Sequence, residues 1–162
     1  EIARRAGVSH AAPKHHFASL GELLAEVAAR GYLDFYDTLE EAANRGSDQS
    51  PHARLTAMVR AYLRFATDSP GVYGLMFGKR EHVVATTPNL AKAMFKAWDQ
   101  LETHVAAVVG LTQAQLGAAT VWSAVHGLAM LRLDRKLPPH INPELALEAL
   151  TRTLMAGLQA EA

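Results

Sequence analysis

Apolar residues recur along most of the chain at a spacing of three and four, the period of a helix that buries one face. Leu20, Leu23, Leu24, Val27, Ala28 and Gly31 fall on one such face, and Tyr32, Phe35, Tyr36 and Leu39 continue it. Ser19 followed by Glu22 reads as a capping box, the hydroxyl accepting a first-turn N–H while the carboxylate reaches back. A long helix is therefore predicted from about Leu20. The segment NRGSDQSP, Asn44 to Pro51, is a loop, and Ser50-Pro51 restarts a helix with a cap and a proline preset for the first helical position. The same device recurs at Ser69-Pro70, Thr87-Pro88 and Asn142-Pro143, and Thr112-x-x-Gln115 supplies another start after Gly110. These signals predict helices near 51–68, 70–78, 88–109, 113–136 and 143–160. No stretch alternates with period two, and no repeat or low-complexity tract is present, so the fold class is all-α.

One helix differs from the others. Residues 105–131 contain no Asp, Glu, Lys or Arg, yet Gly110, Thr112, Gln113 and Gln115 interrupt them. The unbroken part falls short of the roughly 20 apolar residues of a membrane span, which predicts a buried helix and no membrane partner. Between 116 and 131 the side chains are apolar or small nearly all round, and such a helix must be covered on every side. One face meets the core. The other, with the last helix, predicts a two-fold four-helix homodimer interface from Leu116, Val121, Val125, Leu128, Leu147, Leu150, Leu154 and Leu158.

The 162 residues suit one compact unit with at most a small appended subdomain. Sixteen basic and sixteen acidic residues balance, so no overall field draws the molecule to nucleic acid or a membrane. The front of the chain is different: residues 1–20 hold Arg4, Arg5 and Lys14 against Glu1 alone, beside His10, His15 and His16. An anionic partner belongs there. The absence of cysteine removes disulfides and thiolate metal sites and suits a reducing cytoplasm. The chain opens without Met in a helical pattern and has no signal-peptide regions, so further residues are expected ahead of it.

In EIARRAGVS, Ile2, Ala3 and Ala6 share one side of a short helix, Gly7 makes a turn, Val8 plugs it and Ser9 caps the next helix. This is a helix-turn-helix pattern, with a second helix from about His10 to Ala18 suited to the major groove. Pro13 confines that helix to a start at His10 or later. A plain αα-corner shows the same punctuation, so both readings stand on these residues alone.

The run IARRAGVSHAAPKHHFASLGELL resembles the second and third helices and the start of the fourth in the TetR family of one-component transcriptional regulators. There an IA-x-x-AGVS turn leads to a recognition helix ending in Y-x-x-F or Y-x-H-F. The segment VWSAVHGL, Val121 to Leu128, resembles the C-terminal domain of the subgroup marked by a Trp and a His-Gly pair. Lys14 stands at the family's usual Tyr and Leu20 at its usual Lys or Arg; Lys14 retains a phosphate contact as a point charge, and Leu20 does not. The resemblance implies a partial helix-turn-helix domain over 1–30, its first helix absent from this chain, and an effector-binding and dimerisation domain over 31–162. It further implies a repressor that binds double-stranded operator DNA as a homodimer, is released by a small, largely apolar effector, and uses no cofactor. Ser9, Lys14 and His16 would meet phosphates, and His10, Ala11 and Ala12 would face the groove.

The effector site rests on His126, four positions after Trp122 on a face that Met130 continues and Gly127 leaves open to close approach. A buried imidazole must be hydrogen-bonded, either by an effector or by a neighbouring carbonyl or hydroxyl. Tyr62, Phe65, Tyr73, Phe77 and Trp98 are the candidates to wall a cavity around it. No G-x-S-x-G elbow, phosphate loop or H-E-x-x-H is present, so no enzyme is expected. His15 and His16 diverge on a helix with no carboxylate to complete a ligand set, so no metal is expected either. The alternatives are a helical adaptor or ligand-binding protein without DNA binding and a helical enzyme using His126.

Overall fold

The computed structural model describes residues 7, 15–46, 48–78 and 87–160, and all regular structure among them is helical. Six helices follow in order: α1 (Leu20–Asn44), α2 (Pro51–Asp68), α3 (Pro70–Phe77), α4 (Pro88–Val109), α5 (Ala114–Leu133) and α6 (Pro143–Ala160). The fold is all-α, as the apolar period predicts.

Side-chain caps explain most of the helix starts. Ser19 Oγ accepts the Glu22 N–H at 3.1 Å, while the Glu22 carboxylate accepts the Ala18 N–H at 2.8 Å, one residue ahead of the cap. Ser50 accepts from Ala53, Thr87 from Leu90, and Asn142 Oδ1 from both Glu144 and Leu145. Each of these caps satisfies an N–H group that the first helical turn leaves without a partner. Ser69 makes no such bond, because α3 follows α2 after a single residue and Ser69 donates its own N–H to Phe65 O.

The ends of α5 depart from the sequence reading. The helix begins at Ala114 after a turn and has no side-chain cap, so Thr112-x-x-Gln115 does not act as a capping box. It stops at Leu133 and not near 136, because Arg135 turns left-handed at φ 54° and Lys136 N–H closes back on Leu131 O at 2.8 Å. That is a Schellman closure, usually built on glycine.

Packing places α1 along α2 and α4, with α3 and part of α5 completing the layer and α6 outside α5. Gln100 of α4, only 5% exposed, fixes α1 by donating its amide to Tyr36 O and Glu40 Oε2. This bond is the first cause of a Glu40 carboxyl held below its ordinary range. At Gly31, α3 comes so close to α1 that an added Cβ would lie 2.5 Å from Val72 Cγ1 and 2.9 Å from Met76 Sδ.

The predicted interface residues divide. Val121, Val125 and Leu128 of α5 and Leu154 and Leu158 of α6 are buried in the chain's own core, Val121 at 1% exposure. Val121, Val125 and Leu128 continue the buried side of α5 begun by Ala114, Gly117 and Ala118, and Leu154 and Leu158 form the buried side of α6, so these five are core residues of the chain itself. Leu147 and Leu150 are half-buried against the core, and Leu116 is open at 65%. By length and composition α5 is also apolar enough to cross a membrane; a third of it is buried inside the chain, on the side that packs on α2, α4 and α6.

Replacing Gly31 by Ala should lower the midpoint of thermal unfolding, since overpacking of about 1–3 kcal/mol outweighs a helix-propensity gain of about 1 kcal/mol. Gly71 faces open space in α3, and Gly71→Ala should leave the midpoint unchanged or raised. Equal midpoints for the two variants would remove the close approach at Gly31 as a constraint.

Candidate ligand-binding site

The helices enclose a cavity of about 320 Å3, lined by sixteen residues. Its walls come from α1 (Tyr32, Phe35, Leu39), α2 (Leu55, Met58, Val59, Tyr62), the end of α3 (Phe77), α4 (Met94, Phe95, Ala97, Trp98, Leu101) and α5 (Val121, Trp122, Val125). Aromatic rings on these elements meet edge to face around it: Phe35 and Tyr62 at 5.0 Å, Tyr32 and Phe77 at 5.3 Å, Trp98 and Trp122 at 6.0 Å. The volume lies in the range of small-molecule sites, about 300–1,000 Å3.

Four residues predicted for this site, Tyr62, Phe77, Trp98 and Trp122, stand on the wall. The other four do not. Phe65 packs behind Phe35 at 5.2 Å, Met130 packs on the core further along α5, and Tyr73 and His126 form a polar cluster behind Tyr62. His126 Nδ1 is 2.7 Å from the Tyr73 hydroxyl and 3.0 Å from that of Tyr62, and the two hydroxyls are 3.0 Å apart. The triangle is satisfied when Tyr73 donates to Nδ1 and Tyr62 donates to the Tyr73 oxygen, which places the imidazole proton on Nε2. A protein hydroxyl therefore partners His126 Nδ1.

Burial shapes the chemistry of this cluster. Desolvation pushes the Tyr73 hydroxyl up to about 12, lifts Tyr62 further still, and lowers His126 below its ordinary value. All three groups are neutral at neutral pH. With two tyrosine hydroxyls at Nδ1, the cluster positions α2, α3 and α5 against one another.

Ten of the sixteen wall residues, Phe35, Met94, Phe95 and Leu101 among them, are not predicted from the sequence, and Val121 and Val125 are assigned to the dimer interface. The apolar stripe of α1 is visible in sequence, but periodicity gives a face and not the place where packing leaves a void. Of the residues predicted to touch DNA, Ser9, His10, Ala11, Ala12 and Lys14 lie outside the described residues, and His16 is exposed just ahead of α1.

A His126→Phe variant should lose stability and also part of its pH dependence. The folded chain keeps the imidazole neutral to lower pH than the unfolded chain does, so this contribution is complete above 6.5 and is lost as pH falls below that value. Urea midpoints measured on either side of pH 6.5 should therefore separate more in the parent protein than in the variant. Equal separations would mean that the imidazole is not held neutral by burial.

Comparison with known proteins agrees with this architecture. Residues 55–154 match the family model of the tetracyclin repressor-like C-terminal domain. The structure is similar to that of a protein of unknown function from Rhodococcus sp. RHA1, with a TM-score of 0.82 and 29% identity over 98% of this chain and 82% of the relative. It also shares its fold with SCO4313, described as a candidate regulatory protein, at a TM-score of 0.79 and 23% identity over 96% of this chain and 83% of that one. No curated protein matches the sequence. The family match runs from α2 through most of α6, more than half of the 162 residues, and the chain belongs to the tetracyclin repressor-like, or TetR, family.

Proposed function

We propose that this protein is a DNA-binding transcriptional repressor of the TetR type whose hold on operator DNA is released by a small molecule in the cavity. The observation that carries the reading is the double role of α1. Its residues Tyr32, Phe35 and Leu39 wall the cavity, and the same helix runs without a break back to Leu20, directly after the segment read as the recognition helix. A ligand that moves α1 would move the recognition helix with it. In a dimer, two such helices reach half-sites on one face of DNA only when spaced by about one helical turn, 34–36 Å, so a small displacement suffices for release. The ligand needs only different affinities for the two spacings. A cysteine-free DNA reader of this kind belongs in the cytoplasm.

The surface that fits a two-fold partner is the outer side of α5 and α6. Leu116, Thr120, Ser123, Gly127 and Leu131 follow one another along α5, with Leu116 at 65% and Leu131 at 43% exposure, and Leu145, Ala149 and Ala156 lie on the open side of α6. None is charged. A homodimer through these faces would bury the remaining apolar side of α5, as an all-round apolar helix requires.

Two measurements test the proposal. The protein should enrich a small set of fragments from a genomic DNA library, and Lys14→Ala should weaken binding to all of them while reducing the salt slope by about one phosphate's worth. Failure to enrich any fragment would favour a ligand-binding protein without DNA binding. In sedimentation at micromolar concentration the parent chain should be a dimer and Leu131→Glu a folded monomer; a monomeric parent would contradict the interface.

A further inference from the structure

The lining of the cavity selects its ligand by charge, an inference that rests on the proposed role of the cavity as an effector site. Of the sixteen lining residues among those described, seven are aromatic and the rest are Leu, Val, Met or Ala, with no Asp, Glu, Lys, Arg or His among them. The polar groups that wall residues carry are already engaged. The Tyr32 hydroxyl donates to Met76 O at 3.1 Å, the Tyr62 hydroxyl belongs to the triangle with Tyr73 and His126, and the Trp98 indole N–H donates to Glu102 Oε2 at 3.0 Å. Among the described residues, nearby charges are turned to other partners: Lys96 lies over the Tyr36 ring at 3.7 Å, outside the lining, and Glu102 accepts from the Trp98 indole. An ion entering this space would give up its hydration and find no counter-charge among the described residues, which is the costliest kind of burial.

The approach to the cavity has the same character. Phe95 is 68% exposed, and Met94 and Trp122 beside the cavity are also partly open to water, so the rim is apolar along these described residues. Aromatic walls favour a ring that can meet them edge to face or offset. We propose that the cavity takes an uncharged, largely apolar aromatic molecule and rejects charged relatives of the same shape.

The chain's two tryptophans, Trp98 and Trp122, both line the cavity, so tryptophan fluorescence reports its occupancy directly. Phenylbutanol, phenylbutyrate and phenylbutylammonium share a ring and chain and differ in charge, and each is titrated into the whole protein by fluorescence and calorimetry. The alcohol should bind at least about tenfold more tightly than either ion. Equal or tighter binding of the carboxylate or the ammonium overturns the charge rule and leaves the cavity as a ligand site. Binding of none of the three overturns the ligand-site reading itself. Ala97→Leu fills part of the wall and should abolish the alcohol's fluorescence signal and heat; Leu101→Phe serves the same purpose should the first variant fail to fold. Unchanged binding in a folded variant would place the alcohol outside the cavity and overturn the inference.

Discussion

Phe77, the last residue of α3, holds four helices through one ring. Its centroid lies 4.8 Å from that of Tyr73, 5.2 Å from His126, 5.3 Å from Tyr32, 6.1 Å from Phe35, 6.3 Å from Tyr62 and 6.4 Å from Trp122. Such contacts stabilise by about 0.5–1.5 kcal/mol each beyond area burial, and they fix angles as well as distances. Phe77 can reach this position only because α3 lies close against α1, which Gly31 permits, and because the Tyr32 hydroxyl holds the Met76 carbonyl. Rings that meet edge to face do not tile space as aliphatic chains do. The cavity lies beside this convergence, and Tyr32, Phe35, Tyr62, Trp122 and Phe77 itself are among its walls.

This arrangement gives a short helix an unusual share of the structure's connections. Tyr73 and Met76 of α3 are fully buried, Val72 and Met76 meet Gly31 of α1, and Tyr73 joins α2 and α5 through the Tyr62 hydroxyl and His126. A molecule pressing on Phe77 therefore bears on α1 by two routes, directly through Tyr32 and Phe35 and indirectly through the seat of α3 on Gly31. In the proposed repressor, these contacts carry the difference between empty and filled cavity toward Leu20.

Much of this fold is legible in the sequence, for reasons that differ by element. Ser50-Pro51, Thr87-Pro88 and Asn142-Pro143 name their helix starts because a capping oxygen and a preset φ are local chemistry. The end of α5 is not legible, since Arg135 adopts the left-handed conformation without the glycine that usually announces it. Nor is the phase of α5: with apolar residues on every side, Val121 and Leu116 look alike in sequence, and only packing on α2 and α4 separates the buried one from the open one. In the candidate site, Tyr62, Phe77, Trp98 and Trp122 stand out as aromatic residues among core helices. Tyr73 and His126 stand out as well, but for the wrong place, because their mutual hydrogen bond spans 53 positions of sequence and is invisible until the chain folds.

In the proposed repressor, occupancy of the cavity reaches the front half of α1, and amide hydrogen exchange with and without phenylbutanol tests this coupling directly. The wall residues of α1 begin at Tyr32, so Leu20 to Arg30 contains none of them. Exchange should change in α3 and onward into Leu20 to Arg30 when the cavity is filled. Changes confined to the segments that line the cavity, with Leu20 to Arg30 unaltered at saturation, would contradict it.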